Sequence, residues 1–209
     1  MALIKEFVSG DANIVLWKRS ETAGELLSKI TLTEAESKYY SQLNTEKRKF
    51  EWLAWHLLVK EFFNDHSIEI TYNAEGAPIT NNNSQISVSH GGELVGIVVA
   101  RCACGIDIEP LNRDFSRVKG RILNEQECNL LDALAHIAPS AAIGWCVKEC
   151  AFKIAHTEGV DFLNDVIITV ANPKTNSVVV DFKRIGKLDI SIKIVDNHII
   201  CYGTNEENI

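Results

Sequence analysis

The segment "GIDIE", residues 105–109, sets Asp107 and Glu109 two positions apart. In an extended chain alternate side chains share a face, about 6.6 Å apart at roughly 3.3 Å per residue. Both carboxylates can then meet one cation while Ile106 and Ile108 turn the other way. Paired hard oxygens, completed by water or phosphate, suit Mg²⁺ better than zinc. The same pattern also describes a half-buried strand with a wet acidic face. Some forty residues on, "WCVKECAFKI" (145–154) puts Glu149 and Lys153 four apart on one helix face, together with Trp145. That is an acid and a base beneath a large aromatic, or a surface ion pair worth a few tenths of a kcal/mol.

Upstream, "ISVSHGG" (86–92) alternates Ile86, Val88 and His90 against Ser87 and Ser89. His90 leaves the strand just before two glycines, where a phosphate could approach the backbone closely; otherwise it is a hydrogen-bonded surface histidine. Lys47, Arg48 and Lys49 open a helix whose dipole opposes them, so they serve an anion or lie on a hydrated face. A second basic group, Arg113, Arg117, Lys119 and Arg121, directly follows the carboxylate strand.

The elements that must position these residues are legible in outline. "NIVLW" (13–17) reads as a strand, and Thr33 with Glu36 has capping-box spacing for a helix start. A longer helix is expected over 46–63, with Phe50, Leu53, Ala54, Leu57, Leu58 and Phe62 at helical intervals. Strands are expected at 68–72, 86–90 and 94–100, separated by turns at Gly76, Pro78, Asn81–Asn83 and Gly91–Gly92. After the carboxylate strand come a basic loop, a second capping box at Asn124 and Glu127, and a helix opened by Pro139 and Ser140. Strands at 165–170, 177–182, 188–195 and 198–203 follow, with "TNEENI" as a frayed tail. Strand, helix, helix, strands is thus read twice. The expectation is an α+β protein of two pseudo-symmetric halves, residues 1–102 and 103–209, each an antiparallel sheet packed with helices, with the site between them.

With 46% hydrophobic and 23% charged residues over 209 positions, the composition is that of a globular protein. A net charge of −7 argues against nucleic acid as a partner, since phosphate neutralisation needs a basic face. The N-terminus lacks the apolar run of a signal peptide, and the longest apolar region, 94–108, is broken by Arg101 and ends in carboxylates. A cytoplasmic protein without a membrane partner is expected. The six cysteines form no CxxC pair and read as small core residues. A monomer is expected, because two halves let one chain build an interfacial site.

Taken in order, these segments resemble the 4'-phosphopantetheinyl transferase family. "GIDIE" then "WCVKECAFK" is similar to its pattern G-[VI]-D-[IV]-E followed by W-x-x-K-E-[AS]-x-x-K. "ISVSH" resembles its histidine strand, "KRKFEWLAWH" its helix motif KRxxEWLAxR, and "RILNEQE" its F-[ST]-x-x-E element. The match runs from about residue 45 to 155, and the length resembles the monomeric two-half members that activate synthetase and acyl carrier proteins. The resemblance implies transfer of the phosphopantetheine arm of coenzyme A to a serine of an apo acyl or peptidyl carrier protein, releasing adenosine 3',5'-bisphosphate. It implies Mg²⁺, or Mn²⁺, held by Asp107, Glu109 and Glu149, with Glu149 also a candidate base and Lys153 on the phosphate or nucleophile side. It further implies coenzyme A contacts from Arg48, His56, Ser89, His90 and Lys153, and carrier docking by Arg113, Arg117 and Arg121. Trp145 is expected only to pack.

Two departures open a second reading. His56 stands where the helix motif has arginine, and Ala77 in "NAEGAPI" replaces the lysine of a G-K-P turn. A catalytically weakened homologue would hold coenzyme A or a carrier without efficient turnover. The presence of Asp107, Glu109, Glu149 and Lys153 together favours the active transferase. A metal-dependent phosphohydrolase would leave His90 and Lys153 unexplained.

Overall fold

The computed structural model describes residues 3–205. β1 (Leu3–Ser9) and β2 (Ala12–Lys18) form an antiparallel hairpin. Only β2 was expected, because Lys5 and Glu6 break the apolar alternation of the first strand. α1 (Ala23–Leu27) follows, opened by a capping box between Thr22 and Glu25. Its T-x-x-E signature matches the one at Thr33 and Glu36, which opens α2 (Glu34–Ser41) as expected. α3 (Glu46–Phe63) is capped by Thr45 and stopped by Asn64 in the left-handed conformation, φ 49°. β3 (Ile70–Tyr72) and β4 (Pro78–Thr80) make a small ribbon.

β5 (Gln85–Gly91), β6 (Leu94–Ala100) and β7 (Ala103–Pro110) come next. The basic loop expected after β7 is instead a helix, α4 (Ser116–Ile122). α5 (Glu125–Leu131) starts at the Asn124–Glu127 capping box, and α6 (Ser140–Ala155) after Pro139. β8 (Val166–Asn172), β9 (Ser177–Phe182), β10 (Gly186–Val195) and β11 (His198–Asn205) complete the chain. Thr204 and Asn205 pair with Cys104 and Ala103, so the expected tail begins as strand, and the rest of it lies outside the described residues. No helix among the described residues is long and apolar enough to cross a membrane.

The strands form two antiparallel sheets, ordered β1-β2-β6-β5 and β7-β11-β10-β9-β8. α3 covers one face of the first, setting Phe50, Leu53 and Leu57 against Trp17, Val95 and Ile97. α6 covers the second, setting Ile143, Val147 and Ile154 against Ile190 and Ile199. The remaining inner faces stack on each other, with Ile14, Leu16 and Val98 against Ile106, Ile108 and Ile200. Each such side chain contributes about 1.5–3 kcal/mol on leaving water, which makes the sheet-on-sheet contact a third core and holds the two sheets together. The architecture is α+β with antiparallel sheets packed by helices, as expected.

Where edge strands β5 and β7 meet, side chains replace the missing ladder. The amides of Ile106 and Ile108 donate to the hydroxyls of Ser87 and Ser89 at 3.3 and 3.1 Å, so the open edge of β7 is satisfied without another strand. Two glycines permit the approach. A Cβ on Gly91 would lie 2.3 Å from the Ile108 carbonyl oxygen, and one on Gly105 would lie 2.4 Å from that of Cys150. β5 and α6 can therefore both sit directly on β7, which is why their polar side chains converge there.

Candidate active site at the junction of the two sheets

Asp107, buried on β7, accepts hydrogen bonds at Oδ1 from the Ser89 hydroxyl (3.0 Å) and from Lys153 Nζ (2.9 Å). Its Oδ2 is buried with no partner. Glu109, on the same strand face, accepts at Oε1 from Arg113 and from the Trp145 indole at 2.8 Å, while no group among the described residues donates to Oε2. Burial raises the Glu109 carboxyl pKa; the Arg113 bond opposes that rise, and the charge of Asp107 adds to it. Glu149 lies on α6 near this pair and, among the described residues, has no hydrogen-bond partner. Burial and then the Asp107 charge raise its pKa.

Lys153 is held on every proton. Its Nζ donates to Asp107 Oδ1, to the Ile106 carbonyl at 2.9 Å and to Ser89 Oγ at 3.1 Å. Burial favours its neutral form, but the Asp107 charge overrides this and raises its pKa, so Lys153 is a fixed cation. Ser89 was expected to touch a coenzyme A phosphate. It is 5% exposed, and its hydroxyl is consumed by Ile108, Lys153 and Asp107, which makes it part of the scaffold under the carboxylate. Trp145, expected only to pack, instead holds Glu109 through its indole N–H.

His56 also departs from expectation. It is fully buried between Trp52 and Trp55, each ring centroid 3.7 Å from its own, and Nδ1 donates to the Trp52 carbonyl at 2.7 Å. With no exposed atom it cannot contact coenzyme A, and burial pushes its pKa down to about 3. Between that value and the ordinary value near 6.5 the unfolded chain binds a proton that the folded chain refuses, so stability falls as pH falls through this window. The expected loss from pH 6.5 to 5 is about 2 kcal/mol, at about 1.4 kcal/mol per unit. Urea midpoints at pH 7.5 and 5 should show it in the parent protein and a flatter response in His56→Phe.

The other cations behave differently from one another. His90 is exposed, with Nδ1 3.4 Å from Glu51, which also lies 3.6 Å from Lys47. Burial lowers the His90 pKa, Glu51 opposes this, and Lys153, Lys47 and Arg48 lower it further, so these cations share one neighbourhood. Arg48 and His90 line a cleft of about 280 Å³ with Glu51, Trp52, Trp55 and Tyr72. Lys153, Phe152, Ser87 and His156 line an adjoining cleft of about 280 Å³. The two share Gly76, Pro78 and Val88 in their walls and form one groove beside β5. Arg117 and Arg121 are exposed on α4, but Arg113 is not free to dock a partner: it is paired to Glu109 and lies over the rings of Phe115 (4.9 Å) and Trp145 (5.5 Å).

Two acids escaped the sequence reading. Glu51 sits in the helix motif three residues after Arg48, and its position on the Arg48 face was the available signal. Glu127 was read as a helix cap and as the last residue of "RILNEQE", with no partner assigned to it. It also forms a buried ion pair with Lys148 at 2.6 Å and accepts from the Ile168 amide at 2.9 Å.

Among the described residues no three His, Cys, Asp or Glu side chains already close on one point at metal-ligand distance. The donor set nonetheless fits a hard divalent cation: oxygen donors only, Asp107 Oδ2 buried and orphaned, and Glu109 Oε2 clear of protein donors. Mg²⁺ characteristically takes one or two carboxylates and leaves the rest of its octahedron to water and substrate phosphate. The cysteines offer no soft alternative. Cys146 and Cys150 are buried, donate to the carbonyls of Asp107 and Gly105 at 3.3 Å each, and have their pKa values raised by burial.

Two antiparallel sheets packed by helices define an α+β protein, with Asp107 and Glu109 at the junction of the sheets and Lys153 bonded to Asp107 while lining the adjoining groove. Residues 103–202, the strand of the two carboxylates through β11, match the family model of the 4'-phosphopantetheinyl transferase superfamily. Residues 103–202 are thus a domain of that superfamily. No curated protein matches the chain.

Proposed function

We propose that the protein transfers 4'-phosphopantetheine from coenzyme A to a serine of an apo acyl or peptidyl carrier protein, with Mg²⁺ held by Asp107 and Glu109 and approached by Glu149. The observation that carries this reading is Asp107. Its Oδ1 is locked by Ser89 and Lys153 while its buried Oδ2 is left without a partner, in a domain of the transferase superfamily. A bound Mg²⁺ would supply charge neutralisation for the pyrophosphate.

The groove gives the chain's own residues their parts. Arg48 and His90 at one end would take the nucleotide phosphate, and Glu51 steers the His90 ring toward it. Lys153 keeps a fixed positive charge at the other end, where the scissile phosphate would lie. The serine Oγ attacks the pantetheine-bearing phosphorus, a new O–P bond forms, and the bond to the adenosine bisphosphate oxygen breaks. Glu149, unpartnered and with a raised pKa, is placed to accept the serine proton and pass it to solvent. Arg117 and Arg121, exposed on α4, would meet the acidic surface of the carrier.

The test is the intact mass of several apo carrier proteins incubated with the protein, coenzyme A and Mg²⁺. A gain of one phosphopantetheine is the expected result, abolished by EDTA. No gain on any carrier would overturn the reading.

A further inference from the structure

We propose that Arg113 and Trp145 set the selectivity of the metal site by denying Glu109 the use of both its carboxylate oxygens. The inference rests on the metal reading above and concerns which cation that site accepts. Arg113 and the Trp145 indole converge on the same atom, Glu109 Oε1, from β7's own trailing loop and from α6. Among the described residues no donor reaches Oε2. Asp107 repeats the arrangement, with Oδ1 tied by Ser89 and Lys153 and Oδ2 open. Each carboxylate on β7 thus offers one oxygen.

Small Mg²⁺ requires a near-octahedral set of single oxygens at about 2.0–2.1 Å. Larger Ca²⁺ takes six to eight oxygens and is well served by bidentate carboxylates. Donors that occupy the second oxygen of each ligand therefore work against Ca²⁺ and are neutral toward Mg²⁺ or Mn²⁺. Groups holding a ligand from behind commonly tune a site in this way. The geometry around Glu109 resists rearrangement, because the Arg113 guanidinium is itself stacked over Phe115 and Trp145. Arg113 and Trp145 are positioning residues: they act on the metal through Glu109.

Binding can be read without turnover from the electron paramagnetic resonance signal of free Mn²⁺, with Ca²⁺ and Mg²⁺ as competitors. For the parent protein, Mg²⁺ should displace Mn²⁺ at lower concentration than Ca²⁺ does. In Arg113→Met, and more so in Arg113→Met with Trp145→Phe, Oε1 is released, and Ca²⁺ should gain on Mg²⁺ by about tenfold in the double variant. Arg113→Lys should restore part of the selectivity. Retained Mn²⁺ binding with an unchanged Ca²⁺ to Mg²⁺ ratio would overturn the inference. Absence of Mn²⁺ binding in the parent protein would overturn the metal reading beneath it. If the double variant does not fold, Arg113→Met, a change at a half-exposed side chain, carries the comparison alone.

Discussion

Asp107→Asn is expected to fold normally and to lose phosphopantetheine transfer by at least about 100-fold, roughly 3 kcal/mol of transition-state stabilisation. The asparagine carbonyl can still accept from Ser89 and Lys153, so the seam between β5 and β7 keeps its anchor. What disappears is the negative charge, and with it the open oxygen at Oδ2, whose place is taken by an amide that repels a cation. Loss of that charge also removes the chief counterion of Lys153, whose pKa Asp107 raises against burial. Initial rates by carrier mass, alongside thermal unfolding of the same preparation, check both parts. Near-parental rates with intact folding would show that the carboxylate does not serve the reaction.

Lys148→Met is expected to destabilise the protein by about 3–5 kcal/mol. Lys148 and Glu127 are both fully buried, 2.6 Å apart, and the Lys148 ammonium also donates to the Phe162 carbonyl at 2.7 Å. Burial lowers the Lys148 pKa, and the Glu127 pair opposes that shift. Removing one member of such a pair leaves an uncompensated charge in the core, which is the source of the penalty. Glu127 retains only the amides of Asn124 and Ile168. For a chain of this size the fall in Tm would be roughly 10 °C, readable by calorimetry. Glu127→Gln combined with Lys148→Met should recover much of the loss, since the stranded charge is gone. An additive double variant would show that the two residues do not act as a pair. The pair bears on the proposed function because it ties α6 to α5 and β8, and α6 carries Glu149 and Lys153.

The sequence by itself determined the strongly patterned elements and singled out the acids of the candidate site. The run from Phe50 to Phe62 marked α3, and the capping boxes at Thr33 and Asn124 marked two helix starts, because both signals are local and every hydrogen bond they need lies within four residues. Asp107, Glu109, Glu149 and Lys153 were legible through their spacing within one strand and one helix. Short elements with weak patterning, β1, β4 and α4, were not legible, since their stability comes from partners far along the chain.

The use made of each side chain was decided only by tertiary structure. Ser89 and His56 match positions where a ligand contact was expected, yet the first is consumed at the β5–β7 seam and the second is enclosed between two tryptophans. Arg113 looked like a docking cation and Trp145 like packing, but both are bound to Glu109. Lys148 and Glu149 are neighbours in sequence. The helix turns one into the core beside Glu127 and the other toward the carboxylates. A residue type and its spacing say which groups can meet; only the packing of β5, β7 and α6 against one another says which donors have already been taken, and which oxygens remain open.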